Sequence, residues 1–142
     1  MNSVWQTSGV TLLRILASSV VPLLLLAQLS TRDGVYTAVQ AERGKAAYAK
    51  DCASCHAETL EGTGQAPPLT GDEFAANWKG QPLSELFDKI QGGMPADRPG
   101  QLSRATNADI LAYLLSASKL PAGKTELDSG AEALQKIRFE AR

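Results

Sequence analysis

Residues Cys52-Ala53-Ser54-Cys55-His56 hold the chain's only two cysteines and its only histidine. Two thiols three residues apart, followed at once by an imidazole, form the attachment signature of a c-type haem. Each piece has a task in that chemistry. The thiols of Cys52 and Cys55 add to the two porphyrin vinyl groups as thioethers, and their spacing lets both reach one edge of one ring. His56 then points a ring nitrogen at the iron as the proximal ligand. Other uses of these residues fit less well. With two cysteines and one histidine, neither a four-cysteine zinc site nor one built from two cysteines and two histidines can be assembled. A thioredoxin-like dithiol belongs beside a βαβ pattern, and none is visible. A Cys52–Cys55 disulfide would close a loop too small to stabilise much.

A second axial ligand must come from elsewhere. Met94 is the one methionine besides the initiator. A lone methionine is ordinarily a flexible core filler, but this one lies off any helical pattern, between Gly92-Gly93 and Pro95. The glycines allow close backbone approach and the proline stiffens the loop. That arrangement suits a thioether presented to the sixth position of the iron as distal ligand; an open or water-bound iron is the alternative. A haem-ligand histidine also needs an acceptor for its other ring nitrogen. Pro67-Pro68-Leu69 is rigid and apolar, so a carbonyl from it is the natural candidate, with Leu69 over the ring face. An ordinary β-turn is the other reading of these prolines. Trp78 either donates its indole N–H to a haem propionate or simply packs. Arg98 faces a propionate or Asp97, and the sequence leaves that choice open.

The frame that positions these residues is small. The 142 residues are 44% hydrophobic but only 6% aromatic, enough for one thin core that a buried porphyrin would thicken. A formal net charge of −1 argues against nucleic acid as a partner. Within residues 1–30 Arg14 is the sole charge, and Ile15 to Ala27 is an apolar run of signal length, short for a membrane span. Residues 1–30 therefore read as an export signal cleaved near 27–30, or as an uncleaved N-terminal anchor. Residues 31–120 form the haem domain, and 121–142 a tail with a short docked helix. Export places the protein in the periplasm, on the membrane only if the first segment is uncleaved.

Thr37-Ala38-Val39-Gln40 reads as a capping box opening a helix to about Lys50. Gly44, Tyr48 and Cys52 fall on one stripe of it, and a glycine there lets another helix approach closely. Gly62, Gly64, Pro67, Pro68 and Gly71 mark a loop, followed by a short helix over Asp72 to Trp78. Pro82 opens a helix with Leu83, Leu86, Phe87 and Ile90 on one face, closed by Gly92. A further helix spans about Asn107 to Ala117, capped at Thr106, with Ile110, Leu111, Tyr113, Leu114 and Leu115 apolar. Ser129-Gly130-Ala131-Glu132 reads as the capping box of the tail helix. No strand pattern of useful length is visible.

Taken together, these residues resemble class I c-type cytochromes over roughly residues 37–118. The Gly44/Tyr48/Cys52 stripe, Cys52 to His56, Pro67-x-Leu69-x-Gly71, Met94-Pro95 and Asp109 to Leu114 occur in the family's order and spacing. The resemblance implies an all-α class I cytochrome c fold, three to five helices wrapped around one covalently bound haem c. It implies that the first and last helices of that domain cross near Gly44 and Tyr113. It also implies that Pro67 supplies the carbonyl to His56, and that His56 and Met94 sandwich a low-spin iron. Val35-Tyr36-Thr37, Phe74 with Trp78, the Met94 to Gly100 loop and Leu120-Pro121 are similar to small bacterial cytochromes that serve as partners of, or domains in, quinoprotein alcohol dehydrogenases. One position departs: a glycine commonly follows the family's haem histidine, and here it is Ala57. The change is tolerated unless position 57 needs a positive φ.

The first functional reading is a single-electron carrier, monomeric on its own, between a periplasmic dehydrogenase and a downstream oxidase or other acceptor. The second is a fixed electron-transfer subunit of a quinoprotein dehydrogenase or oxidase complex. The third, a haem-based sensor or peroxidase-like enzyme, needs an open sixth position and so stands or falls with Met94. No residue set for acid–base or nucleophilic catalysis is visible, since the sole histidine is committed to iron.

Overall fold

The computed structural model describes residues 28–141, together with Met1. The export-signal reading of residues 1–30 falls largely outside the described residues, on 2–27. In chain order the elements are β1 (Leu29–Ser30), a single 3-10 turn (Thr31–Asp33), α1 (Ala38–Asp51), α2 (Ala53–His56), α3 (Gly71–Trp78), α4 (Leu83–Gly93), α5 (Arg104–Ala117), α6 (Ala131–Gln135) and β2 (Ile137–Arg138). The all-α fold is as read from the sequence. Among the described residues the helices number six rather than three to five, because the attachment segment makes its own turn, α2, apart from α1.

Gly44 sets the frame. The most extensive helix pair is α1 with α5, and a Cβ on Gly44 would stand 1.8 Å from the Asp109 carbonyl oxygen. Only a hydrogen side chain permits that approach. One turn on, the Tyr48 and Tyr113 rings meet with centroids 5.3 Å apart, tilted by 53°. On the outer side Arg43 bridges Asp109 (2.9 Å) and Glu126 (2.8 Å), an exposed pair of contacts that adds little stability. Leu83, Leu86, Phe87 and Ile90 are all buried, as their spacing on α4 requires. Ile110, Leu111, Leu114 and Leu115 are buried too, and so are Ala108 and Ala112. Both α1 and α4 pack on α5, which is why its apolar stripe is wider than one face.

Several boundaries fall elsewhere than the sequence suggests. Thr37 caps α1, accepting the Gln40 N–H at 3.1 Å, but the box does not close. The Gln40 amide instead donates to Leu127 O (3.0 Å) and accepts the Leu127 N–H (2.7 Å), tying α1 to the tail. Gly92 does not end α4: the helix continues to Gly93 and the Met94 N–H still reaches Ile90 O at 3.0 Å. Ser103, not Thr106, caps α5, because its hydroxyl accepts the Thr106 N–H at 3.0 Å. Asn107, expected at the helix start, is therefore inside it and fully buried. The tail helix docks as α6, but it starts from Gly130 without a side-chain cap.

The tail then returns to the start of the described chain. β2 runs parallel to β1, with Leu29 opposite Ile137 and Ser30 opposite Arg138. Two-residue strands leave no alternation for sequence to reveal. Thr31, fully buried, donates its hydroxyl to Glu140 O (3.1 Å) and accepts the Glu140 N–H (2.9 Å). Phe139 exchanges backbone hydrogen bonds with Gln81 (2.9 Å) and Gly80 (2.8 Å), and its ring meets Phe74 edge-on at 5.8 Å.

At Gly44 a methyl group would meet helix backbone, not a side chain able to move aside. Gly44→Ala should cost about 3 kcal/mol or more, read as a lower urea midpoint by circular dichroism. An unchanged midpoint would show that α1 and α5 do not cross there.

Candidate functional site

The attachment segment sits where α1 breaks. Cys52 leaves helical geometry at φ −129°, ψ −35°, its N–H still bonded to Tyr48 O (2.9 Å). The chain re-forms one turn, α2, through Cys55 N–H and His56 N–H to Cys52 O at 3.1 and 3.0 Å. Cys52 stands as the cap ahead of that turn and Cys55 lies on it, three residues on. Both are free thiols, Cys52 half-buried and Cys55 exposed.

Three successive carbonyls at the end of the turn are held. Cys55 O accepts the Thr63 hydroxyl (2.8 Å), His56 O the Gly62 N–H (3.0 Å) and Ala57 O the Tyr48 hydroxyl (2.7 Å). The loop beyond is pinned by reciprocal Thr63 and Ala66 backbone bonds (2.9 and 3.2 Å) and by Leu69 N–H to Leu60 O (2.8 Å). These contacts bring the Pro67 carbonyl oxygen to 2.9 Å from His56 Nδ1. A carbonyl only accepts, so Nδ1 carries the proton and Nε2 keeps its lone pair. His56 as a whole is 6% exposed.

Met94 is half-buried at the end of α4, where the peptide to a buried Pro95 is cis. Leu69 and Trp78 are also half-buried and pack on the core. Trp78 lies 6.4 Å from Phe74, in the aromatic group that includes Phe139. Of the two partners considered from sequence, Asp97 is not the main one for Arg98. Its guanidinium donates to Asp51 Oδ1 at 2.6 Å, with Asp97 3.9 Å away. Sequence reasoning passed over Asp51. The available signal was its position: an acidic residue on the last turn of a helix opposes the helix dipole and needs a cation.

Charge and burial act on these groups consistently. Burial pushes the Cys52 thiol up to about 11, with Asp51 adding to the effect and Arg98 opposing it, so the neutral thiol is the form kept at pH 7. Burial likewise pushes the Tyr48 phenol up to about 12, which keeps it a donor to Ala57 O. Arg98 and Arg43 are raised by their carboxylate hydrogen bonds, Arg98 by Asp51 and Arg43 first by Asp109.

The donor set fits a haem better than a bare ion. Among the described residues no three His, Cys, Asp or Glu side chains converge to hold a metal. What is present is one imidazole with a free Nε2, one thioether and two unpaired thiols on a single turn. Cys52, Leu69, Trp78 and Met94 share a condition that a flat apolar ring would relieve: each packs on the core and is left partly uncovered.

A family model described as cytochrome c oxidase, cbb3-type, subunit III matches residues 39–114. The chain belongs to this family of c-type cytochromes. Neither the curated proteins nor the solved structures gave a match. Membership in the c-type cytochromes makes electron transfer, rather than bond-making catalysis, the activity of the domain, and haem c its cofactor. The matched span takes in Cys52, Cys55, His56, Pro67, Leu69, Trp78 and Met94 and stops within α5, before the tail. None of the helices among the described residues is long and apolar enough to cross a membrane.

At the position where the cytochrome pattern has glycine, Ala57 sits at φ 64°, ψ 155°, a region open essentially to glycine alone. Ala57→Gly should therefore stabilise the haem-loaded protein by about 1 kcal/mol with its spectrum unchanged. A loss of thermal stability in that variant would show that the strain is not there.

Proposed function

We propose that the protein is a mono-haem c-type cytochrome that carries single electrons from a periplasmic dehydrogenase to a downstream oxidase or other acceptor. The observation that supports this best is the His56 Nδ1 to Pro67 O hydrogen bond, 2.9 Å long, beside two free thiols on the same turn. Bound haem c supplies a one-electron Fe(III)/Fe(II) couple. The chain's own residues do the rest. Cys52 and Cys55 fix the macrocycle as thioethers, and His56 offers Nε2 as proximal ligand. Pro67 holds the imidazole in one tautomer and one orientation. Met94 offers its sulfur as distal ligand, which favours the reduced state and raises the potential. Leu69 and Trp78 exclude water, and the Trp78 indole N–H is available to a propionate. A haem held by both His56 and Met94 would leave a substrate no place to bind. Export of the chain by its first 30 residues and a monomeric state complete the reading.

A fixed subunit of a dehydrogenase or oxidase complex is the second reading, and the description of the matching family as an oxidase subunit favours it. The two differ in where the haem is found. A carrier is released with the soluble periplasmic fraction, whereas a subunit stays with salt-washed membranes.

The full chain, made in a host competent in haem attachment and reduced with dithionite, should show sharp c-type bands that carbon monoxide leaves unchanged. Met94→Ala should keep the haem, bind carbon monoxide and have a lower potential; an unchanged spectrum and potential would remove Met94 from the iron. Cys52→Ala combined with Cys55→Ala should lose all haem that survives acid–acetone extraction, and retention of such haem would overturn the attachment assignment.

A further inference from the structure

The ion pair between Asp51 and Arg98 joins the two segments of the chain that bear the site. Asp51 closes α1 directly before Cys52, and Arg98 lies four residues beyond Met94. Among the described residues their 2.6 Å contact is the one hydrogen bond between the end of α1, directly before Cys52, and the loop over residues 94–103. The Asp51 side chain is 5% exposed and that of Arg98 35%.

The loop is held differently at its base and at its middle. At the base the Gln91 amide donates to Leu102 O (3.2 Å) and accepts from Asn107 (2.9 Å), which joins the end of α4 to the start of α5. In the middle, Arg98 N–H closes a turn on Pro95 O at 3.0 Å. That turn reaches across to the attachment segment through the Arg98 side chain. Met94 therefore stands between two fixed points, α4 through its N–H to Ile90 O and the Asp51 contact three residues past Pro95.

Asp51 does nothing for its own helix. A carboxylate at a helix C-terminus is repelled by the dipole, and a buried one is costly without a partner. Its placement makes sense as an anchor for a cation arriving from elsewhere. A methionine side chain has three rotatable bonds and a weakly binding sulfur, so its occupancy of a ligand position depends on how firmly its backbone is presented.

We propose that Asp51 and Arg98 are a positioning pair that keeps the Met94 thioether on the haem iron by lashing its loop to the attachment turn. This rests on the assignment of Met94 as distal ligand. The pair touches neither substrate nor reacting atoms; it acts through Met94.

The test uses the haem-loaded full chain and two readouts, carbon monoxide binding to the reduced protein and the thioether-to-iron charge-transfer band of the oxidised protein. Arg98→Ala should raise carbon monoxide affinity at least tenfold and weaken that band, under conditions where circular dichroism shows the protein folded. Arg98→Lys should recover part of both, and Asp97→Asn should behave as wild type. Arg98→Ala leaves a buried carboxylate unpaired and can fail to fold, so Asp51→Asn combined with Arg98→Gln removes charge from both sides. That double variant should regain stability yet still bind the gas. If it or Arg98→Ala folds and leaves carbon monoxide binding and the band as in wild type, the pair is only structural and the inference falls, with Met94 standing. If the wild-type protein itself binds carbon monoxide readily, the Met94 assignment falls and takes this inference with it.

Discussion

A ligand imidazole is of use only if its ring cannot turn, and the single hydrogen bond from His56 Nδ1 to Pro67 O is what prevents that. The two partners are eleven positions apart in the chain, and the contacts of the loop between them serve their alignment. The Thr63 hydroxyl, the Gly62 N–H and the Tyr48 hydroxyl each take one of the carbonyls that follow the attachment turn. The Thr63 and Ala66 pair then folds the loop back so that the prolines, whose φ is fixed by their own rings, arrive at the imidazole. The same bond settles the tautomer and so leaves Nε2 as a base toward a metal. In a chain with one histidine, this arrangement has no substitute.

The helical frame matters to that bond through distance. Because Gly44 lets α1 and α5 touch backbone to backbone, Tyr48 is carried onto Tyr113 and its hydroxyl onto Ala57. The attachment turn follows one turn later, at the end of the same helix. On the opposite side of the chain's path, Gln40, Leu127, Phe139 and Thr31 bind the tail to α1, to the α3–α4 connection and to β1. The Gln40 amide and the Thr31 side chain are buried, and a buried polar group is costly to leave without its partner.

Much of this was legible in the sequence, and what was not has a common cause. The close approach at Gly44, the Pro67 segment as acceptor for His56 and the apolar face of α4 all follow from residue type and short-range spacing. The condition attached to Ala57 was legible too, since only the backbone angle was missing. The Gln40 amide, by contrast, looked like half of a capping box until a residue 87 positions away claimed both of its atoms. Arg98 had an acidic neighbour beside it and chose one 47 positions earlier. The α5 start moved because Ser103 and Thr106 are both competent caps, and the burial of Asn107 decides between them. Local rules rank such options; tertiary contact selects among them.

The closure of the tail on Thr31 also has a meaning in time. Thr31 is among the first described residues to be made and Glu140 among the last, 109 positions later. A chain is synthesised from its N-terminus, so the strand pair and its buried hydroxyl can form only once residue 140 has been made. Until then the ends of this fold stay apart, and α3 lacks the Phe139 edge that the tail lays against Phe74.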